Sequence, residues 1–485
     1  MKGKSSTGFL DVSSRKQLFI DDLLIENSAG ISLTVNRPVK DARPCLVPDR
    51  PWEAKTLNGF ASVTQEGDSY RLWYVALADD SKGAAKGQKI PLGEAGKGEY
   101  RNYSRLCYAE STDGASWQKP ELGLVTFRGS TRNNIVITHD DEVGDLNPVY
   151  LDTNPDCPRE QRYKTFWLRI VPVTGNELIV NVSPDGHRWQ PLSGEISYGR
   201  TDTNNVLFWD DRIGRYVAMV RGLSGESAWR VVSRCEFDDM RDWGPSQVVL
   251  KADEHDAPET DVYNSAAVKY EDVYLMFPSF YSHFPEPPEG EYHNDGVLDI
   301  QFAVSRDGVD WKRPERWPFV ALGADGEWDS RQMYMASGLI TTDSEVYLYY
   351  TGFNYTHAED DYIDTTGYSG GINRVRLRRD GFMSADAGTA EGELTTVPLV
   401  FDGSRVELNV QTSMTGSLKA EILGEDGKAL PGYSLDECRA IKGNFIRTVL
   451  SWKSGDDVSA LQGRPIRLRF VMRHAKLYAF QFCSD

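Results

Sequence analysis

Aromatic and β-branched residues recur along the chain in short runs separated by turn residues. Such runs are typical of β-strands. Each follows a shorter apolar run and a turn, so the pattern predicts paired antiparallel strands at five places. The five runs are YRLWYVAL (70–77), YKTFWLRI (163–170), RYVAMVRG (215–222), VYLMFPSFY (273–281) and VYLYYTGF (346–353).

A second pattern, an Asp-Gly turn followed by Trp, repeats in step with these runs. Asp-Gly supplies the backbone conformations that a tight hairpin needs. The fixed order of four strands, repeated five times, predicts a five-bladed β-propeller. An ordinary β-sandwich, in which such turns recur by chance, is the alternative. The copies are STDGASW (111–117), SPDGHRW (183–189) and SRDGVDW (305–311), with looser copies in VVSRCEFDDMRDW (231–243) and RVRLRRDGF (374–382).

The pattern changes after about Gly392 to alternating strands that lack the aromatic run, which predicts a C-terminal β-sandwich. The opening segment is expected to form a hairpin that leads into the propeller or helps to close it. The sequence therefore predicts an all-β protein, a five-bladed β-propeller followed by a C-terminal β-sandwich. Its predicted domains are residues 1–50, 51–390 and 391–485.

Composition narrows the function classes. The 485 residues carry a formal net charge of −18, which repels phosphate backbones and anionic membranes. The six cysteines form no C-x-x-C pair, so neither a zinc cluster nor a dense disulfide framework is indicated. No apolar run is long enough for an export signal or a membrane span. We expect a soluble protein, cytoplasmic unless a signal was removed from a longer precursor, whose oligomeric state the sequence leaves open.

Acidic residues precede three consecutive inner strands, in RTDTNN (200–205), ETDVYN (259–264) and EWDSRQMY (327–334). Carboxylates that converge on one funnel raise each other's pKa values, which gives the acid and the ionised partner that glycosidic bond cleavage needs. Alternatively, each Asp caps a turn at the start of a strand, or the oxygens hold a structural Ca²⁺ in the central channel. The candidate catalytic residues are Asp202, Asp261 and Asp329, with Glu53, Glu259 and Glu327 as candidate proton donors.

Other residues on the same face are candidates for substrate binding. Arginines hold carboxylates or sugar hydroxyls, histidines transfer protons, and flat aromatic side chains stack on sugars. The alternatives are partners for the acidic loops and ordinary packing. The candidates are Arg169, Arg221, His283 and His357 after the aromatic strands, and Trp52, Asn58, Tyr263, Gln332, Tyr334 and Tyr355 near the inner runs.

The five blades, the S-x-D-G-x-x-W turns and the trailing sandwich together resemble the propeller glycosidases of the invertase, levansucrase and arabinanase kind, especially glycoside hydrolase family 32. The resemblance covers nearly the whole chain and is architectural. The W-M-N-D-P-N-G, R-D-P and E-C motifs of those families do not occur in the matching blades, where PWEAKTLNGF (51–60) offers Glu53 and Asn58. The resemblance implies hydrolysis of a carbohydrate substrate without a required cofactor.

Two functions follow as hypotheses. The first is a glycoside hydrolase that takes the terminus of an oligo- or polysaccharide into the central funnel. The second is a carbohydrate-binding propeller that recognises glycans without cleaving them, which the missing family motifs favour. We expect the first, because long and unequal loops crowd one face of the predicted ring.

Overall fold

The computed structural model describes residues 8–53, 56–77, 104–138, 143–171, 175–192, 204–224, 229–285, 295–357 and 370–484. Within these ranges the regular structure is β-strand, apart from the short 3₁₀ turns Pro51–Glu53, Arg159–Gln161 and Ser459–Leu461. None of the helices in these ranges has the length and apolar character needed to cross a membrane.

The strands follow one another along the chain in small antiparallel sheets. The N-terminal segment holds β1 (Leu10–Ser13), β2 (Gln17–Leu18), β3 (Ile25–Ala29), β4 (Ile31–Val35) and β5 (Val39–Lys40). The first sheet holds β6 (Thr56–Glu66), β7 (Ser69–Leu77), β8 (Ser104–Ser111) and β9 (Ile135–Thr138). The second sheet holds β10 (Val143–Leu146), β11 (Tyr150–Leu151), β12 (Tyr163–Val171), β13 (Gly175–Ser183) and β14 (Gln190–Pro191). The third sheet holds β15 (Val206–Asp210), β16 (Arg215–Ser224), β17 (Trp229–Phe237) and β18 (Gln247–Leu250).

The next ten strands form a separate three-stranded sheet and what we call the shared sheet. The first half of the shared sheet holds β19 (Thr260–Val262), β22 (Ser279–His283) and β23 (Gly296–Ile300), and the separate sheet holds β20 (Ala267–Tyr270), β21 (Val273–Met276) and β24 (Ala303–Ser305). The second half of the shared sheet holds β25 (Gln332–Met335), β26 (Ile340–Thr341), β27 (Glu345–Phe353) and β28 (Gly371–Arg378). A single parallel pair, Leu298 with Gln332, joins the halves, and β5 pairs with β28 at the outer edge.

The C-terminal sheet holds β29 (Met383–Ala387), β30 (Gly392–Thr396), β32 (Arg405–Leu423), β33 (Asn444–Val449) and β34 (Arg467–Cys483), while β31 (Leu399–Phe401) belongs to a separate two-stranded sheet. The N-terminal strands β2, β3 and β4 pair with β34, β30 and β29, and β1 pairs with β31. The sheet encloses its own apolar core, which includes Phe401, Trp452 and Phe482.

The prediction of an all-β chain with a β-propeller arrangement is confirmed. The arrangement shows four blades, and the two halves of the shared sheet are continuous in their hydrogen bonds. Five blades, a C-terminal sandwich and the domain boundaries remain predictions.

The repeated turns have the local structure that their sequence predicts. In the first copy the Ser111 hydroxyl accepts hydrogen bonds from the backbone N–H groups of Asp113 and Gly114, at 3.2 and 2.9 Å. The carboxylate of Asp113 accepts from the N–H groups of Ala115 and Ser116 at 2.8 and 2.7 Å. Those two N–H groups hold the pKa of the Asp113 carboxyl well below its ordinary value. The copies at 183–189 and 305–311 repeat this bonding.

Each of these turns also makes what we call a turn joint, a hydrogen bond from its glycine carbonyl to a neighbouring sheet. Trp73 Nε1 of the first sheet donates to Gly186 O at 2.9 Å. Arg234 of the third sheet donates to Gly308 O at 3.2 Å. The Tyr349 hydroxyl of the shared sheet donates to Gly114 O at 2.7 Å. The repeated turn therefore both closes a hairpin and fastens one sheet to the next.

The turn joints explain why glycine occupies these positions. All three glycines have positive φ angles, between 68° and 78°. A Cβ atom at Gly186 would lie 2.6 Å from the Trp73 ring. Gly67 has a similar φ of 59°, but a Cβ atom there would meet nothing within 4 Å. Comparing alanine substitutions at Gly186 and Gly67 therefore separates the strain of a left-handed backbone from the steric clash at the turn joint.

We therefore expect Gly186→Ala to destabilise the protein more than Gly67→Ala. Left-handed backbone strain should cost about 1 kcal/mol at either position, and crowding at the Trp73 ring should add about 1–3 kcal/mol at Gly186. Urea unfolding of both variants checks the difference. Equal losses would mean that the joint contributes little to stability.

The carboxyl group of Asp299 on β23 lies in surroundings that disfavour its charged form. Its Oδ1 atom is buried, with no hydrogen-bond partner among the described residues. Burial raises the pKa of its carboxyl to about 6, against the opposing effects of Gln301 and Arg313. Arg313 forms two hydrogen bonds of 2.7 Å with Asp256, so its guanidinium is mainly engaged there.

A carboxyl whose pKa is raised on folding stabilises the fold when protonated, and that contribution is lost as pH rises through the folded pKa. From 3.8 to about 6, the difference amounts to at most about 3 kcal/mol, lost between about pH 4 and pH 7. Asp299→Asn should remove this decline, which unfolding measured across that range would detect. Asp325→Asn, at an exposed carboxylate, is the control. An unchanged profile for Asp299→Asn would contradict the assignment.

Candidate functional site

Aromatic side chains from both halves of the shared sheet meet beside its central strands. The Tyr263 ring lies 5.4 Å from Tyr334 and 6.0 Å from Tyr281, both in edge-to-face contact. Tyr281 also lies 3.9 Å from the His283 ring and 4.8 Å from His357. Together with Asp261, these residues are called the mouth cluster below.

The strand register explains why these residues meet. Asp261 on β19 lies directly opposite Tyr281 on β22. The parallel pair between Leu298 and Gln332 then brings β25, and with it Tyr334, to the same place. The hydroxyl of Tyr334 donates to Gln332 Oε1 at 2.8 Å, so a residue of the joining pair also fixes the Tyr334 ring.

Asp261 is the carboxylate of the mouth cluster. It is 2% exposed. Its Oδ2 accepts a 3.0 Å hydrogen bond from the Arg230 guanidinium and lies 3.3 Å from His283 Nε2. Its Oδ1 is buried without a hydrogen-bond partner in the described part of the chain. One carboxylate oxygen is thus held by two basic side chains while the other has no partner.

Arg230 shapes the electrostatics of the cluster. Its guanidinium lies over the Tyr263 and Tyr281 rings, 5.3 and 5.4 Å from their centroids. Burial acts to lower the pKa of Arg230, but Asp261 and the two tyrosines outweigh it and leave that pKa raised. Burial likewise raises the pKa of Tyr281, so this phenol stays neutral. The cluster therefore contains one fixed cation beside one carboxylate.

The first sheet contributes the opposite wall. A Cβ atom at Gly59 would lie 2.5 Å from the Tyr334 ring, so β6 passes directly against the cluster. The Thr56 and Tyr355 hydroxyls are 3.5 Å apart, and Gln332 Nε2 donates to Tyr355 O at 2.7 Å. The predicted residue Asn58 lies on the same strand and is half-buried.

Two predicted carboxylates have structural roles instead. Glu53 is fully buried and accepts from the Tyr74 hydroxyl at 2.6 Å, from Lys119 at 2.7 Å and from two backbone N–H groups. Asp329 accepts from Lys40 and from the Tyr350 hydroxyl, both at 2.7 Å. These partners engage both oxygens of Glu53, and those of Asp329 reach its Oδ2 and tie it to the edge strand β5. The predicted catalytic role of both residues stays a prediction.

The remaining predicted acids differ in position. Glu259 is exposed, has a positive φ of 56°, and its carbonyl accepts from the His283 N–H at 3.0 Å, which places it beside the mouth cluster. Glu327 is exposed and its carboxylate caps the local turn at Ala324 N, 2.8 Å away. Asp202 lies outside the described residues, as does the side chain of Arg169.

The other predicted binding residues are placed as follows. His283, His357, Tyr263, Gln332, Tyr334 and Tyr355 come together in or beside the mouth cluster. Arg221 lines a small pocket with Asn204, Tyr263 and Asn264. Trp52 instead packs against Phe127 in the first sheet and donates to Asn134 at 2.8 Å, which is an ordinary core contact.

Sequence reasoning missed Arg230, Tyr281 and Trp229. Arg230 and Trp229 begin the third strand of the third sheet, whereas the prediction considered the segments before the inner strands and the ends of second strands. Because antiparallel strands exchange ends at the same edge of a sheet, the starts of third strands lie on that face as well. Tyr281 lies within a predicted aromatic strand, and the sequence did not indicate to which face of the sheet its side chain points.

The side chains that the structure describes do not form a metal site. Among the described residues, no three His, Cys, Asp or Glu side chains lie close enough together to hold an ion. The structural Ca²⁺ predicted for the channel therefore stays a prediction.

The structural role of Glu53 gives a direct test. Glu53→Gln should lower the free energy of unfolding by about 3–5 kcal/mol, because Lys119 would lose its buried partner. Glu327→Gln, which alters an exposed turn cap, should change it by less than about 1 kcal/mol. Thermal unfolding of both variants checks this. A fully stable Glu53→Gln variant would restore Glu53 as a functional candidate.

Comparison with known proteins gives structural relatives only. Neither a protein-family model nor a curated protein matches the chain. A solved structure described as a glycoside hydrolase shares 16% identity, covering 70% of this chain and 92% of its own, with a TM-score of 0.46. The family 32 β-fructofuranosidase of Bombyx mori shares 10%, covering 91% and 95%, at 0.44. The β-1,2-mannobiose phosphorylase of Listeria innocua shares 13%, covering 72% and 97%, at 0.45. The predicted resemblance to propeller glycosidases is thus found among solved structures, and no residue role is carried over from them.

Proposed function

We propose that the chain is a glycoside hydrolase that binds the terminus of an oligo- or polysaccharide at the mouth cluster. The observation that carries the proposal is Asp261, a buried carboxylate fixed by Arg230 and His283 with one oxygen unpartnered in the described structure. A buried acceptor without a hydrogen bond costs about 1–3 kcal/mol. A sugar hydroxyl or a reacting water would satisfy that oxygen on binding.

Asp261 forms a charge pair with Arg230, whose guanidinium lies 3.0 Å from Oδ2. Glycosidic cleavage passes through a transition state with positive charge on the sugar ring, which an ionised carboxylate stabilises directly. Asp261 is therefore proposed as the base or nucleophile.

Glu259 is proposed as the proton donor. It stands two residues before Asp261, is exposed, and its backbone is tied to His283. Its left-handed φ of 56° is strained for a residue with a side chain, and such strain concentrates at functional sites. In the proposed reaction the Glu259 carboxyl gives its proton to the leaving glycosidic oxygen as the bond to the anomeric carbon breaks. Water supplies the new hydroxyl, and its released proton returns the carboxylates to their starting state.

The tyrosines supply the binding surface. Tyrosine rings present an apolar face with a polar edge, which suits the mixed surface of a sugar. Tyr263 directly follows β19, and its ring lies 6.0 Å from Tyr281 on β22 and 5.4 Å from Tyr334 on β25. His357 Nε2 lies 3.3 Å from the Tyr263 hydroxyl, which orients that edge of the cluster.

For the architecture we propose a five-bladed ring in which the shared sheet contributes two blades. Among the described strands, its halves share a single ladder pair, Leu298 with Gln332. Besides the three turn joints, the looser turns also contact preceding strands: Trp243 packs on Phe166 at 5.0 Å, and Tyr270 donates to Asp380 at 2.8 Å. Five such contacts in cyclic order support five blades. The separate core of the C-terminal sheet supports the proposed sandwich.

A second candidate is a carbohydrate-binding protein that does not cleave its ligand. The observation in its favour is the engagement of Glu53 and Asp329 in structural contacts. Of the predicted carboxylates that the structure describes, this leaves Asp261 and Glu259 at the mouth cluster. Binding without turnover is the outcome that distinguishes this candidate.

The proposal is tested by Asp261→Asn and Glu259→Gln, assayed on a panel of 4-nitrophenyl glycosides and oligosaccharides. Loss of an acid or a base should lower kcat by about a hundredfold or more, because each group acts in the transition state. The released reducing ends and nitrophenol are measured. Glu327→Gln is the matched control, since this exposed Glu lies before an inner strand but only caps a turn.

Unchanged turnover in Asp261→Asn, on a substrate that the parent protein cleaves, would remove Asp261 from the mechanism. Saccharide binding by calorimetry, without release of product from any member of the panel, would favour the binding protein over the hydrolase.

A further inference from the structure

Large apolar side chains are exposed together at one edge of the ring. Leu223 near the end of β16, Trp229 at the start of β17 and Phe284 just after β22 are 55%, 37% and 44% exposed. These strand ends lie next to Asp261, whose partner Arg230 follows Trp229 in the chain. Exposed apolar surface rimmed by polar groups often marks a ligand groove.

Trp229 is the fixed member of this surface. Its ring packs edge-to-face on His283, with 5.7 Å between centroids. Its backbone pairs with Ser224 across the sheet. The next residue, Arg230, donates to Asp261 Oδ2 from both its guanidinium, at 3.0 Å, and its backbone N–H, at 3.4 Å. The indole is thus held at a set place outside the carboxylate, while part of its surface stays exposed.

We propose that Trp229 forms a second sugar subsite, which stacks on the ring that follows the one bound at Asp261. The inference rests on the proposed function and extends it, because it makes the preferred substrate a chain of at least two sugar units. An indole offers a broad rigid surface for the C–H face of a sugar, with little entropy to lose on binding. Binding to it also covers apolar surface that is otherwise in water.

The test compares short and long probes. The probes are the 4-nitrophenyl monoglycosides of glucose, galactose, mannose, xylose and arabinose, with the matching di- and trisaccharides. Trp229→Ala should lower kcat/KM for the cleaved trisaccharide about tenfold, as loss of one aromatic contact predicts, and leave the matching monoglycoside within about twofold. Trp229→Phe should recover most of the loss.

The control is Trp317→Ala, because Trp317 is also exposed, at 71%, but lies beside Glu315 and Arg316, which pair with Arg37 and Asp253. Equal losses on short and long probes would show that Trp229 merely supports His283, and would overturn the subsite. So would a Trp229→Ala variant that behaves like Trp317→Ala.

A binding readout separates this inference from the proposed function. Trisaccharide affinity is measured by calorimetry in the parent protein and in Trp229→Ala, each also carrying Asp261→Asn to suppress cleavage. A roughly tenfold weaker affinity confined to the trisaccharide supports the subsite even where the parent protein cleaves nothing, in which case only the hydrolase proposal fails. Absence of trisaccharide binding in the parent protein and its Asp261→Asn variant would overturn the subsite.

Discussion

A hydrogen bond from one sheet to the glycine carbonyl of a neighbouring turn fastens this ring together. It is made by a different donor at each joint: the indole of Trp73, the guanidinium of Arg234 and the phenol of Tyr349. What is constant is the acceptor, the carbonyl of a glycine whose φ is positive and whose missing Cβ lets the neighbouring side chain approach. A sheet whose edges stay open invites pairing with other chains. Joining sheets through turns arranges them in a ring without merging their hydrogen-bond ladders.

The mouth cluster depends on that arrangement because its members and the residues that contact them come from separate sheets. Tyr281 and Tyr334 lie on the two halves of the shared sheet, Arg230 of the third sheet pairs with Asp261, and Gly59 of the first sheet packs against Tyr334. A small shift of the third sheet would take Arg230 away from Asp261, and leave a carboxylate buried without its cation, which is strongly unfavourable. The charge pair at the cluster and the turn joints therefore stabilise the same relative placement of sheets. The pairing of Asp261 with Arg230 and the geometry of the ring therefore depend on each other.

The strands and turns were predictable from sequence because they depend on local chemistry. Asp113 and Gly114 determine their hairpin through contacts within a few residues, and the run at 70–77 forms β7 as its aromatic content predicts. Tyr263, His283, Tyr334 and His357 were predicted from strand ends and do meet. The bonding of Glu53 and Asp329 was not predictable, because their partners come from distant segments: Lys119 lies 66 residues from Glu53, and Lys40 lies 289 residues from Asp329.

Asp261 and Asp329 show how repeats with one backbone pattern acquire different chemistry. Both precede inner strands, and both are almost fully buried. Asp329 meets Lys40 because the N-terminal strand β5 completes the outer edge of the shared sheet beside it. Asp261 instead meets Arg230 at the rim of the third sheet and His283 of its own sheet, both at Oδ2, while its Oδ1 is buried without a hydrogen-bond partner among the described residues. At these two positions the repeat places a carboxylate in the same part of the blade, and the neighbouring segment decides which basic side chain pairs with it.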